Sequence, residues 1–208
     1  MTSDPSNAPK GGVTCYAAGE GGFMAASQAL RGRWLRPLLV GMAALGLKPN
    51  HLTFLSLLTG LGFGPALWWG HPVTALVLLL LHVLLDGLDG PLARQLGVAS
   101  NRGSFTDTMA DQVVVTVSTI ALMQAGHAGI WPGALYLFCY GMVVGFAMVR
   151  NALAIPYSWL VRPRFFVYAW LPAELFLWPG TLDLLLWVLT LLLAVKMLTG
   201  FLRIRRAL

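Results

Sequence analysis

Residues 72–111 read PVTALVLLLLHVLLDGLDGPLARQLGVASNRGSFTDTMAD. From Pro72 to Leu85 this stretch is almost wholly apolar, which is what a membrane-crossing helix needs over ~20 residues. Asp86 and Asp89 then follow inside the same segment. The short linker Gln95–Gly103 leads into a second apolar segment that carries Asp107 and Asp111. The spacings i,i+3 and i,i+4 put each pair on one face of a helix. Two apolar helices, each with a carboxylate pair near one end, is the reading from which the rest follows.

The composition agrees with it. Of 208 residues, 57% are hydrophobic and 11% charged, with a mean hydropathy of +0.72. Soluble domains average about 25% charged residues, and so little polar surface could not cover a water-soluble core. Two cysteines, Cys15 and Cys139, exclude a disulfide scaffold. The net charge of +6 does not indicate nucleic acid, because the basic residues lie between or beside apolar segments and form no basic stripe on a soluble face. The fold class expected is an all-α integral membrane protein.

Six spans are expected, at roughly 52–70, 72–94, 105–126, 131–156, 165–180 and 182–202, with Pro172, Glu174 and Pro179 interrupting the fifth. Before them, residues 1–22 read as a flexible tail without the apolar stretch of a signal peptide. Residues 23–50 read as an amphipathic interfacial helix with Arg31, Arg33 and Arg36, broken at Lys48-Pro49-Asn50. The catalytic domain is then 51–208. Six spans put both termini on one side. All 14 basic residues fall on that side, and the far loops around 70–71, 126–130 and 179–181 contain none. By the positive-inside rule that side is the cytoplasm. Trp68, Trp69, Trp131 and Trp178 fall at far-side span ends, as an aromatic belt does.

Four of the eight acidic residues are the intramembrane aspartates. Each would be unfavourable in lipid by roughly 2.5–3.5 kcal/mol on insertion scales. Converging carboxylates repel unless protonated or bridged by cations, and hard oxygen donors suit Mg²⁺, Mn²⁺ or Ca²⁺. Four of them can hold two ions, an arrangement recurrent in displacement at phosphorus. Arg94 adds a guanidinium whose geometry matches phosphate.

Written out, the residues are Asp86-x2-Asp89-Gly90-x2-Ala93-Arg94-x8-Gly103-x3-Asp107-x3-Asp111. This pattern resembles the signature of the CDP-alcohol phosphotransferase family, with all eight fixed positions filled over 26 residues. Lys48-Pro49-Asn50-x2-Thr53 looks like the family's stretch before the first helix. The resemblance implies a six-helix, usually dimeric enzyme of the bacterial inner (plasma) membrane, with its active site cytoplasmic. It would displace CMP from a CDP-linked alcohol by a second alcohol. It implies that Asp86, Asp89, Asp107 and Asp111 hold two divalent ions, Mg²⁺ or Mn²⁺, and that Asp111 is also the base for the acceptor hydroxyl. Asn50, Gly90, Ala93, Arg94, Ser100 and Gly103 would line the nucleotide and diphosphate. The donor expected is CDP-diacylglycerol. The acceptor expected, on a loose likeness of Ser104–Val113 to phosphatidylglycerophosphate synthases, is glycerol 3-phosphate. Inositol phosphate, serine, or a CDP-choline donor stay open.

The rival class is a cation- or proton-coupled transporter, since intramembrane carboxylates mark ion pathways. It would spread acids through the bilayer depth and repeat between halves, neither of which occurs here. Arg150, Arg162 and Arg164 read either as positive-inside anchors or as a pocket for a phosphorylated acceptor. Arg203, Arg205 and Arg206 read as lipid-headgroup anchors. His82 reads as packed, with contact to the site as the alternative. Asn50 could cap the first span with help from Thr53, and Glu174 and Asp183 read as solvated turn residues.

Overall fold

The structure is a computed structural model and describes residues 35–155 and 162–208. The tail 1–22 and the start of the basic segment, with Arg31 and Arg33, lie outside the described residues. Those described are all helical, with no strand: α1 (Leu35–Ala44), then α2 (Pro49–Trp68), α3 (Pro72–Gln95), α4 (Asn101–Gln124), α5 (Ile130–Ala152), α6 (Pro163–Phe176) and α7 (Leu182–Ala207).

The boundaries follow local chemistry. Pro49, Pro72 and Pro163 each open a helix, where the missing N–H is no loss and the fixed φ already suits the helix. Ser100 caps α4, its Oγ accepting from the Gly103 N–H at 3.1 Å. Gly97, at φ +68°, ends α3 in the left-handed region where a side chain would be strained. That makes the sharp return to α4 feasible. The expected cap of α2 is corrected. Lys48 occupies the N-cap position, because Pro49 fixes the first helical residue, and Asn50 falls inside the first turn.

Helices α3 and α4 both pack on α2; α3 also meets α6, α4 meets α5, and α7 lies against α5 and α6. Close approach of α2 to α4 depends on Gly60 and Gly64, a small-xxx-small pair that lets helices touch in lipid. A Cβ at Gly60 would lie 2.6 Å from Val114 Cγ2 and 2.7 Å from its Cγ1. Val114 is fully buried and β-branched, so it cannot turn away. Gly60→Ala should therefore destabilise the protein by about 1–3 kcal/mol, read as a lower Tm in detergent.

The core, with Phe63, Leu79, Val114, Leu122, Tyr136 and Leu186 at its centre, is ringed by outward apolar faces. Leu184 is 71% and Leu191 68% exposed, with Trp187, Leu192, Val195 and Leu198 beside them. Contiguous apolar surface of that extent has no place in water. The chain is thus a multi-pass membrane protein. By length and apolarity, three of the described helices, α3, α5 and α7, can cross a bilayer, or four if the pair α1–α2, bent by 104°, counts as one span. The expectation of six spans is not met on that criterion. At 14 residues, α6 reaches only ~21 Å at 1.5 Å per residue, short of a ~30 Å hydrocarbon core. In α2 and α4 the site's polar residues lower the apolarity.

Glu174 is not solvated, and Asp183 is half-buried. Glu174 is fully buried and accepts from the Gly180 N–H at 2.7 Å and the Leu182 N–H at 2.8 Å. His127 Nδ1 lies 3.8 Å away. Asp183 accepts from the Gly129 N–H at 2.7 Å. Open backbone donors in turns recruit these carboxylates, which tie the far loops together. Trp68, Trp69, Trp131 and Trp178 are all exposed at that end.

Candidate active site

The aspartates converge toward the near end of the bundle. One oxygen each of Asp86, Asp89 and Asp107 lies within 4.8 Å of the others. Helices α3 and α4 both lean on α2, and their carboxylates meet one another. Asp89 is buried, and its Oδ2 accepts from Thr53 Oγ1 of α2 at 2.7 Å. Asp107 Oδ1 is buried and has no hydrogen-bond donor among the described residues. An orphaned carboxylate oxygen beside two more carboxylates fits a divalent cation with oxygen ligands.

Asp111 is turned differently. Its Oδ1 forms an ion pair with Arg164 Nη1 of α6, and Arg164 Nη2 donates to Asp86 Oδ2 at 2.9 Å. The Arg164 side chain is 2% exposed, those of Asp86 and Asp111 11% and 12%. One guanidinium thus bridges the two helices that carry the motif. A buried carboxylate group without such a cation would be strongly unfavourable.

The other motif residues surround this centre. Gly90, Ala93 and Gly103 are half-buried and Arg94 and Ser100 exposed, at the near ends of α3 and α4. Asn50 is exposed one turn before Thr53. Arg150 is buried at the near end of α5, and Arg162 is half-buried at the N-cap of α6. Of the three arginines noted in the sequence, the structure brings Arg164 onto the aspartates. Thr53, expected only to help Asn50 cap α2, binds Asp89. Its signal in sequence is its place in the stretch Lys48-Pro49-Asn50-x2-Thr53, which resembles the family's. No spacing rule links Arg164 to Asp86, 78 positions earlier, or to Asp111.

Comparison with known proteins settles the family. The family model for CDP-alcohol phosphatidyltransferase matches residues 47–203. The chain belongs to the CDP-alcohol phosphatidyltransferase family. Family relatives include CDP-diacylglycerol–serine O-phosphatidyltransferase of Mycobacterium tuberculosis, 32% identical over 52% of this chain and 39% of that protein. A probable phosphatidylglycerophosphate synthase of the same organism is 32% identical over 63% of this chain and 66% of its own length. Archaetidylinositol phosphate synthase of Aeropyrum pernix is 29% identical over 52% of this chain and 50% of its own length. The chain therefore spans well under half the length of the serine transferase. In fold it is similar to phosphatidylinositol phosphate synthase of Mycobacterium tuberculosis with CDP-DAG bound. The TM-score is 0.71 at 18% identity, covering 81% of this chain and 92% of that one. The same synthase in complex with manganese and citrate gives a TM-score of 0.69 at 19% identity, covering 80% of this chain and 87% of that one.

Proposed function

We propose that this family member transfers the phosphatidyl group of CDP-diacylglycerol to a small polar alcohol, with glycerol 3-phosphate as the acceptor and phosphatidylglycerophosphate as the product. The observation that carries the reaction class is the convergence of Asp86, Asp89 and Asp107 within one ligand sphere, on the motif of the family. The acceptor rests on two lesser supports. Arg164 lies against the aspartates, with Arg162 two residues before it, and the phosphatidylglycerophosphate synthase relative is matched over 66% of its length.

Asp86, Asp89, Asp107 and Asp111 would hold two divalent ions, Mg²⁺ or Mn²⁺, which when bound offset the diphosphate charge and polarise its oxygens. Asn50, Gly90, Ala93, Arg94, Ser100 and Gly103 line the nucleotide and diphosphate, small residues giving room and Arg94 giving charge. The acceptor hydroxyl oxygen attacks the phosphorus that bears the diacylglycerol, and a new P–O bond forms. The bond from that phosphorus to the bridging oxygen breaks, and CMP leaves with that oxygen. Asp111 takes the hydroxyl proton. Arg150, Arg162 and Arg164 form the basic wall toward the acceptor phosphate.

The six helices α2–α7 are taken as six spans of the bacterial inner membrane, with termini and site cytoplasmic and the functional unit a homodimer. The one-sided placement of all 14 basic residues supports the orientation.

The test is CMP release by the purified chain in detergent, with and without Mg²⁺, across glycerol 3-phosphate, inositol phosphate and serine. Release needing both metal and glycerol 3-phosphate supports the full reading. Release with serine or inositol phosphate alone keeps the reaction and replaces the acceptor. No release from folded protein rejects CDP-diacylglycerol as donor and turns the test to CDP-choline and CDP-ethanolamine; silence there as well favours ion transport. If the basic wall serves a phosphorylated acceptor, Arg162→Ala should raise the acceptor KM roughly tenfold, a loss of about 1.4 kcal/mol in binding, with kcat little changed.

A further inference from the structure

Nothing in the mechanism above uses His82. It is 1% exposed, one turn before Asp86, and lies outside the family's fixed positions. Its ring is enclosed on three sides. On α2, Ser56 Oγ lies 2.8 Å from Nδ1, and a Cβ at Gly60 would come within 3.2 Å of Cγ. On α6 the Tyr168 ring stands edge-on at 6.4 Å between centroids. The remaining nitrogen, Nε2, is buried without a hydrogen-bond partner and faces Asp111 Oδ1 at 3.9 Å.

We propose that His82 is a positioning residue for Asp111, its neutral ring held with Nε2–H toward Oδ1 by a hydrogen bond from Ser56. This rests on the reading of Asp111 as the base. The choice of tautomer follows from a comparison of two arrangements. In one, Nδ1–H donates to Ser56 O at 3.2 Å and the Ser56 hydroxyl donates to His82 O at 3.1 Å. That leaves a bare Nε2 lone pair against a carboxylate oxygen, in a place that water does not reach. In the other, Ser56 Oγ–H donates to Nδ1 and Nε2 carries the proton, so the buried N–H and the carboxylate attract. Site hydrogen bonds are often long before substrate binds and tighten afterwards. Arg164 and His82 then engage the same oxygen, Oδ1, from two helices. Rotation of the carboxylate is restrained, and Oδ2 is the oxygen presented to the acceptor hydroxyl.

The experiment compares His82→Ala, His82→Asn and His82→Gln in the full chain, because Gln places an amide N–H near the Nε2 position and Asn reaches only the Ser56 side. The Ala and Asn variants should lose roughly 10- to 100-fold in kcat, the scale of a displaced reacting group. The KM for CDP-diacylglycerol should hold, and Gln should recover most of the rate at an unchanged melting temperature. Equal losses in Gln and Asn, or an unimpaired Ala variant, overturn the proposal. Long-range ¹H–¹⁵N spectra of ¹⁵N-histidine protein, assigned with the His82→Gln variant, give a readout independent of activity. A neutral Nε2–H pattern supports the arrangement and a neutral Nδ1–H pattern rejects it. Absence of CMP release from the unmodified chain sinks the proposed function while the spectra still decide the tautomer.

Discussion

Asp111→Asn is expected to lower kcat roughly 10²- to 10⁴-fold, the range for loss of a positioned proton acceptor. The amide keeps the size of the side chain and an oxygen for Arg164, so folding should survive. Arg164 retains its 2.9 Å bond to Asp86, and its charge is not left unmatched. Turnover and melting temperature measured on the same detergent sample separate the two effects. Activity close to that of the unmodified chain would remove Asp111 from the mechanism.

Arg164→Ala should act in the opposite proportion, with stability falling first. The guanidinium contacts both Asp86 and Asp111. Its removal leaves two buried carboxylates facing each other and two more nearby. Deleting one member of a buried ion pair typically lowers stability by about 3–5 kcal/mol. A large drop in Tm is expected, with kcat falling too. Because a bound divalent ion offsets the same negative charge, Mg²⁺ should raise the Tm of the variant more than that of the parent. Arg164→Lys keeps the charge but cannot reach two carboxylates with two prongs, so it should fall between. Equal Mg²⁺ responses in variant and parent would show that Arg164 and the metal do not answer the same charge.

The parts of this molecule that sequence exposes are those set by local rules. Lys48-Pro49-Asn50 marks the break before α2 and Pro72 the start of α3, because backbone geometry acts within a few residues. The paired aspartates stand out because four charges in apolar helices contradict their surroundings, and their spacing is helical. What stays hidden is whatever a distant partner decides. Arg164 in sequence is one of several near-side arginines, and only packing of α6 on α3 brings it to Asp86. Glu174 looks like a turn residue open to solvent, yet the donors of Gly180 and Leu182 draw it fully inside. The count of spans fails by length and apolarity for a related reason. Helices α2 and α4 carry the Thr, Ser, Asp and Gln that build and flank the candidate site, and these lower the apolarity that the criterion asks for.

The right-angled turn from α1 into α2 has a consequence for where the chemistry happens. Leu39 of α1 is wedged against Leu52 and Leu92, each within a turn of the near end of its helix. On the reading of α1 as an interfacial helix, which rests at the boundary of headgroups and acyl chains, α1 would mark the waterline. Asp89 and Asp107 are six residues in from the ends of α3 and α4, or ~9 Å at 1.5 Å per residue. Asp86 and Asp111 are deeper. The carboxylates would then lie below the waterline. On the proposed reaction, a lipid donor would meet them by sinking slightly without leaving the bilayer, whereas a soluble alcohol would have to dive. Stray water would have to make the same descent without a phosphate to draw it down, so that depth alone would favour transfer over hydrolysis.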